Sequence, residues 1–263
     1  MRPLAVVGNL SLDLVEGTPP RPGGPPYYAA KALATLAVPA VVRAKCAESD
    51  RSRLLRALDA LGVRAEWRRG ETTAMYAFSY DGDARTMEVR ELGSPWAADE
   101  VVDLDAEWVH VGALFHGEFP AETLAALRET GARLSFDGQG LVRPARLGPL
   151  ELEPDAPPDV LRHLTVLKLS EDEAKALVGR LEERSLSALG VPEVIVTLGS
   201  RGCLLVARRR LVHVPADPLD VDPTGAGDTF AAAYVVERSR GRAPRQAAER
   251  ATKLVHRALS SSR

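Results

Sequence analysis

Cysteine is almost missing from this chain. Cys46 and Cys203 are the only two in 263 residues, and both lie in apolar stretches. Neither their number nor their spacing supports a disulfide framework or a thiolate metal site, so a reducing, cytoplasmic setting is the expectation. Charge of one sign is also lacking. The net charge of -2 leaves no basic excess to attract nucleic acid or anionic lipid. The cluster Arg208-Arg209-Arg210 reads as solvated charge on a surface hairpin. No apolar run approaches the length of a membrane span. The opening stretch Met1–Val7 is broken by Gly8-Asn9 and then Asp13, too soon for a signal-peptide core. The five histidines show no ligand spacing. A G-x-x-x-x-G-K-[ST] phosphate loop is absent, and Gly225-Ala226-Gly227 runs on to Phe230 where a dinucleotide fingerprint needs glycine or alanine.

What the chain does have is length and pattern. With 45% apolar residues, its 263 residues can bury a large core in one α/β domain plus a small appendage. Short apolar runs alternate with helix-length amphipathic stretches, the pattern of a mostly parallel central sheet flanked by helices. Candidate strands are Leu4–Val7, Val41–Arg43, Trp108–Val111, Arg133–Phe136, Val166–Leu169 and Val194–Thr197. Candidate helices are Tyr28–Leu36, Arg51–Leu61, Ala121–Glu129 and Gln246–Leu259. Cys203–Ala207 and Leu211–Val214 read as an antiparallel hairpin on the sheet edge. Thr72–Tyr80 and Arg85–Leu92, joined at Asp81-Gly82, read as a second hairpin. With residues 12–18 it would form a small β-lid hinged at Gly23-Gly24, leaving residues 1–263 as one domain. The lid's alternating Tyr76, Phe78 and Tyr80 give it one aromatic face, through which a homodimer could form.

The string Asp222-Pro223-Thr224-Gly225-Ala226-Gly227-Asp228-Thr229-Phe230 carries the chemistry. Two glycines before an Ala-rich apolar run make a tight turn feeding the first turn of a buried helix. Unpaired backbone N–H groups and the helix dipole make such an end an anion site. A carboxylate there has work to do in phosphoryl transfer, where the amides hold the migrating charge and Asp228 takes the proton of an attacking hydroxyl. The bland reading is a capping acid beside a turn.

The string resembles the signature of the ribokinase-like (PfkB) carbohydrate kinases, and further elements follow in that family's order. The resemblance implies an ATP- and Mg2+-dependent kinase acting on an alcohol of a small sugar or polyol. It makes Asp228 the base and Gly225, Ala226 and Gly227 the anion hole. Asp13, leaving the first strand, would bind the sugar, and Gly23-Gly24 match the family's N-terminal glycine pair. Tyr28 stands where the family usually has an asparagine; its ring suits the apolar side of a cyclic substrate. In Ser170-Glu171-Asp172-Glu173, Ser170 replaces the asparagine of an Asn-x-x-Glu motif, and Glu173 would order magnesium's waters. The same two residues also read as a plain capping box. Lys168 and Thr224 could reach the phosphates. Thr197, Gly199 and Gly202 resemble the adenine-nucleotide loop. Asp137-Gly138-Gln139-Gly140 with Arg143 would put an amide and a guanidinium near substrate, or form a structural Asp–Arg pair. That run, with Gly-Gly-Pro-Pro-Tyr-Tyr at residues 23–28, looks like the inositol-kinase-type members. A nucleoside kinase and a catalytically silent binding protein on the same fold are the alternatives.

Overall fold

The computed structural model describes residues 3–81, 84–216 and 225–260; at 80, 81, 84, 85 and 258–260 only the backbone is described. Gly82 and the stretch Asp222–Thr224 therefore lie outside the described residues. In chain order the strands are β1 Leu4–Asn9, β2 Ser11–Val15, β3 Arg21–Gly23, β4 Ala40–Ala47, β5 Arg64–Gly70, β6 Ala74–Asp81 and β7 Ala84–Glu91. They continue as β8 Trp108–Gly112, β9 Arg133–Asp137, β10 Gly148–Pro149, β11 Val166–Ser170, β12 Glu193–Thr197, β13 Cys203–Ala207 and β14 Arg210–Val214. The helices are α1 Pro25–Thr35, α2 Glu48–Asp59, α3 Ala121–Glu129, α4 Pro158–Leu161, α5 Glu171–Val178, α6 Glu183–Ser187, α7 Ala226–Ser239 and α8 Pro244–Ser260.

Nine strands form the main sheet in the order β14-β13-β12-β11-β9-β8-β1-β4-β5. The pairings from β5 to β12 are parallel, and β13 and β14 add an antiparallel edge. Burial on both faces explains the unbroken apolar runs. In β1, Leu4 and Val6 enter one core with α1, α2, α7 and α8. Ala5 and Val7 enter the other, with α3, α5 and α6. Two-residue periodicity thus feeds two cores from one strand.

β5 escapes recognition in the sequence because it is an edge strand paired only to β4, and Arg64, Glu66, Arg68 and Arg69 break its apolar signal. Glu66 is held there by Arg43, 2.6 Å away. α1 starts three residues before the expected Tyr28, because Pro25 and Pro26 fit a first turn whose N–H groups need no helical partner.

A second sheet has the order β10-β7-β6-β2-β3. The chain passes from the first sheet to the second within Asn9–Ser11, so β2 begins at the carboxyl edge of the main sheet. The short β3 and β10 carry no periodic signal of their own. Tyr76, Phe78 and Val89 of this sheet pack with Leu114 and Phe115 from the loop after β8.

Glu118 fixes that junction. It is fully buried and accepts hydrogen bonds from the amides of Asn9 (3.3 Å) and Leu114 (2.5 Å). Burial pushes its carboxyl up to about 8, although those amides and that of Phe115 oppose the shift. The folded state therefore keeps a proton that the unfolded chain releases at lower pH. The associated stability is full at acid pH and declines as pH rises through about 8. Urea unfolding of the wild type should lose stability between about pH 4.5 and pH 8 and level off above, and Glu118→Gln should flatten that decline; parallel curves for the two proteins would refute the assignment.

Candidate active site

α7 is set in place from its far end. Tyr234 donates to Glu193 at 2.6 Å, and Arg238 pairs with the other oxygen of that carboxylate at 2.7 Å. The run Phe230–Val236 is wholly buried, so the helix can present only its ends. Its N-terminal end opens at Gly225, whose φ of 77° is left-handed. A Cβ there would meet the Tyr28 ring at 2.4 Å. By helix geometry the amides of Ala226, Gly227 and Asp228 have no preceding partner in α7. Asp228 is buried, and among the described residues its Oδ1 has no hydrogen-bond partner.

Lys168 lies directly under this turn. A Cβ built on Gly227 would stand 2.8 Å from its Nζ. The ammonium, from the middle of β11, pairs at 3.3 Å with Asp137 at the end of β9. Asp137 is completely buried, and its other oxygen accepts from the Gln139 amide at 3.2 Å. The sequence left Asp137 as a possible partner of Arg143; the structure gives it Lys168 instead. Burial would push the Lys168 ammonium down, but Asp137, Glu173 and Asp228 together raise it. Asp228 is displaced in the same sense: burial and the Asp137 charge lift its carboxyl well above the ordinary range, against Lys168 and Arg143.

Across the cleft, Asp13 accepts from Ser11 Oγ at 2.8 Å and from the Tyr28 hydroxyl at 3.2 Å. Its carboxylate packs on Gly23, where a Cβ would meet it at 2.4 Å. Gly24 caps α1 with a φ of 86° and passes 2.6 Å, in Cβ terms, from the Asn9 carbonyl. The cleft holds about 300 Å³ between the two sheets, lined on its polar side by Asp13, Tyr28, Gln139, Arg143, Lys168 and Asp228. Ser170, Glu173, Gly24, Gly225 and Gly227 also line it.

Tyr76, Phe78, Met87 and Leu114 form its apolar wall. Tyr76 and Phe78 of the β6 hairpin are thus turned inward onto the cleft, while the Tyr80 side chain lies outside the described residues. For these two residues that corrects the reading of an outer face on offer to a second copy. Of this wall only Tyr76 and Phe78 had been singled out in the sequence, and for that outer face. Leu114 follows a β8 strand whose own run is unremarkable.

Ser170 and Glu173 form the reciprocal capping box: the Ser170 amide donates to Glu173 at 2.7 Å, and the Glu173 amide to Ser170 Oγ at 3.3 Å. Glu173 nonetheless faces the cleft, so capping and a cleft role coexist. Among the described residues, no group of three or more His, Cys, Asp or Glu could hold a metal directly. Thr197 donates to the Leu169 carbonyl at 3.2 Å, and Gly199 and Gly202 take left-handed φ values in the turn after β12. These three are not part of the cleft lining. Thr224 lies outside the described residues.

The fold and the cleft together define a small-molecule kinase. The profile of the pfkB family of carbohydrate kinases matches residues 11–259, and the chain belongs to that family. It is 26% identical over 267 aligned residues to ribokinase of Bacillus subtilis, covering 92% of this chain and 87% of that one. Among solved structures, a pyrophosphate-dependent kinase of the ribokinase family, complexed with a pyrophosphate analog and myo-inositol, superposes with a TM-score of 0.85 at 22% identity. The match covers 98% of this chain and 95% of that one. Arabidopsis thaliana ribokinase complexed with ribose and ATP gives 0.72 at 22% identity, over 98% of both chains. The protein is thus a carbohydrate kinase with the ribokinase-like α/β fold. No described helix is long and apolar enough to cross a membrane.

The two turn glycines should respond differently to alanine. At Gly227 the obstacle is the far end of a flexible lysine, so Gly227→Ala should leave the melting temperature nearly unchanged while displacing the ammonium and lowering turnover at least tenfold. At Gly225 the obstacle is a ring and the backbone is left-handed, so Gly225→Ala should destabilise by about 1–2 kcal/mol or more. Thermal melts beside turnover assays separate the two, and equal stability losses would contradict the geometry.

Proposed function

We propose that the chain phosphorylates an alcohol group of a small sugar or polyol, with ATP as donor, Asp228 as general base and the Gly225–Gly227 turn as anion hole. The observation that carries this reading is the orphaned Oδ1 of buried Asp228, at a helix N-terminus and in one cleft with Asp13. A buried acceptor without a partner, beside amides suited to an anion, fits a site meant to receive both a hydroxyl and a phosphate.

In the proposed reaction Asp13, Tyr28 and Gln139 orient the acceptor. Asp228 accepts the hydroxyl proton as the oxygen forms its bond to the γ-phosphorus, and the bond from that phosphorus to the bridging oxygen breaks, releasing ADP. The amides of Ala226 and Gly227, with Lys168 behind them, stabilise the charge on the equatorial oxygens. A magnesium ion bound with the donor would supply positive charge that offsets the charge on its phosphates. Glu173 would hold it through water, which suits the lack of a direct ligand cluster among the described residues. Thr197, Gly199, Gly202 and Thr224 belong to the donor side of this reading.

The acceptor favoured is a cyclic polyol such as an inositol. Its hydroxylated edge would meet Asp13 and Gln139, and its carbon face the wall of Tyr76, Phe78 and Met87. The structural neighbour bound to myo-inositol agrees with this reading. Its donor analog motivates a second one. Two cations line the cleft while the Thr197–Gly202 turn does not, an arrangement that would also suit pyrophosphate, which has no base to recognise. A panel of inositols, sugars and nucleosides, assayed for ADP from ATP and for phosphate from pyrophosphate, decides both acceptor and donor. A silent binding protein would turn over none of them.

Asp228→Asn should bind ATP normally and lose roughly 10²–10⁴-fold in kcat; retained turnover would exclude the base. Because burial raises the Asp228 carboxyl, wild-type activity should fall as pH drops through a value well above the ordinary aspartate range. A pH–rate profile flat down to that ordinary range would contradict the assignment.

A further inference from the structure

At the other end of α7, away from the cleft, positive charge gathers around a second concavity. A volume of about 560 Å³ opens between the last turn of α7, one face of α8 and the end of α1, with Leu36 and Leu254 as the apolar part of its wall. Arg240, Arg242, Arg250, Lys253 and Arg257 line it. They face only two carboxylates, Glu237 and Glu249. The chain as a whole carries a net charge of -2, so this positive surplus is local.

Glu237 organises the cluster. Its buried carboxylate holds Arg240 at 2.7 Å on one oxygen, and Arg242 at 2.5 Å and Arg250 at 3.7 Å on the other. One guanidinium would satisfy a buried carboxylate; three leave positive charge unmatched and held side by side. Glu249 does not absorb it, because that carboxylate pairs with Arg245 at 2.9 Å. Lys253 has no ion pair among the described residues. Arg240 reaches Glu237 through Nη1 and Arg242 through Nε, so each keeps further N–H donors for the pocket. The turn that carries them is fixed: the Arg242 amide donates to the Glu237 carbonyl at 3.2 Å, and Gly241 takes a left-handed φ of 78°. A staple between α7 and α8 accounts for Glu237 and one arginine, but not for the surplus.

We propose that this pocket binds a small organic phosphate carrying two phosphate groups, such as a sugar or polyol bisphosphate. Planar guanidinium forks match phosphate oxygens in pairs. The unmatched arginine charge with Lys253 suits more than one phosphate, and the volume is that of a small-molecule site. Among the described residues no aromatic side chain lines the pocket, so nothing there would stack on a nucleotide base. Glu237 lies nine residues beyond Asp228 on α7, about 14 Å along the helix axis. The pocket and the cleft share no lining residue. Binding here is therefore independent of whether the cleft transfers phosphate.

Calorimetry of the full chain with glucose 1,6-bisphosphate and with myo-inositol 1,4-bisphosphate tests it. At least one should bind at a single site with a Kd below about 1 mM. Glucose 6-phosphate should bind about tenfold more weakly or worse, and added salt should weaken every complex. Arg250→Gln combined with Lys253→Gln should weaken the bisphosphate about tenfold or more. That double variant keeps the short contacts of Glu237 to Arg240 and Arg242, so its melting temperature and turnover should match wild type. Asp228→Asn should bind the bisphosphate as wild type does. Hydrogen exchange should slow at residues 240–246 when the probe is added. Failure of both probes to bind at millimolar concentration would overturn the proposal. So would binding that survives the double variant or is lost in Asp228→Asn, since the probe would then sit in the cleft. A single-stranded RNA held more tightly than either bisphosphate, through the same two residues, would also overturn it by making this a macromolecular surface. None of these outcomes bears on the kinase reading, which the acceptor panel tests separately.

Discussion

One buried ammonium sets the terms for the rest of the site. Lys168 sits where three carboxylates, Asp137, Glu173 and Asp228, would otherwise face one another in a low-dielectric cleft. Such charges cannot all ionise there without a counter-charge. Its pairing with Asp137 pins it under Gly227. The backbone turn and the cation then act on the same volume of space. Removing either element would leave the other poorly matched: amides without a charge behind them, or a lysine with no surface to hold.

The placement of that ammonium depends on the sheet. β9, β11 and β12 are parallel neighbours, so Asp137, Ser170 and Thr197 all emerge at one edge. β1 and β8 bring the Asn9–Ser11 crossing and the Leu114 loop to the same edge. α7 reaches it from the flanking layer, anchored at its other end by Glu193. Ligand sites of open α/β sheets sit at this edge for that topological reason. The second sheet then roofs the cleft with aromatic and aliphatic side chains.

Asp228 and Arg143 sit in this arrangement as opposite cases of one principle. Each has a buried polar atom without a partner among the described residues, one an acceptor and one a donor. Each lines the cleft.

The amino-acid sequence by itself determined the main sheet, the edge hairpin, and the turn before α7, because unbroken apolar runs and paired glycines are local signals. It also marked Asp13, Gly23, Gly24, Gln139, Arg143 and Lys168, all of which line or adjoin the cleft. It did not mark β5, whose charges are tolerated because the strand lies on an edge, nor β3 and β10, which are too short to show a period. Which partner Asp137 takes, which way the Tyr76–Phe78 face turns, and that Tyr28 contacts both Asp13 and the Gly225 turn were decided only by the tertiary structure. These are contacts between residues far apart in the chain, and no periodicity encodes them. They exist because parallel strands and one anchored helix bring those positions to a common edge.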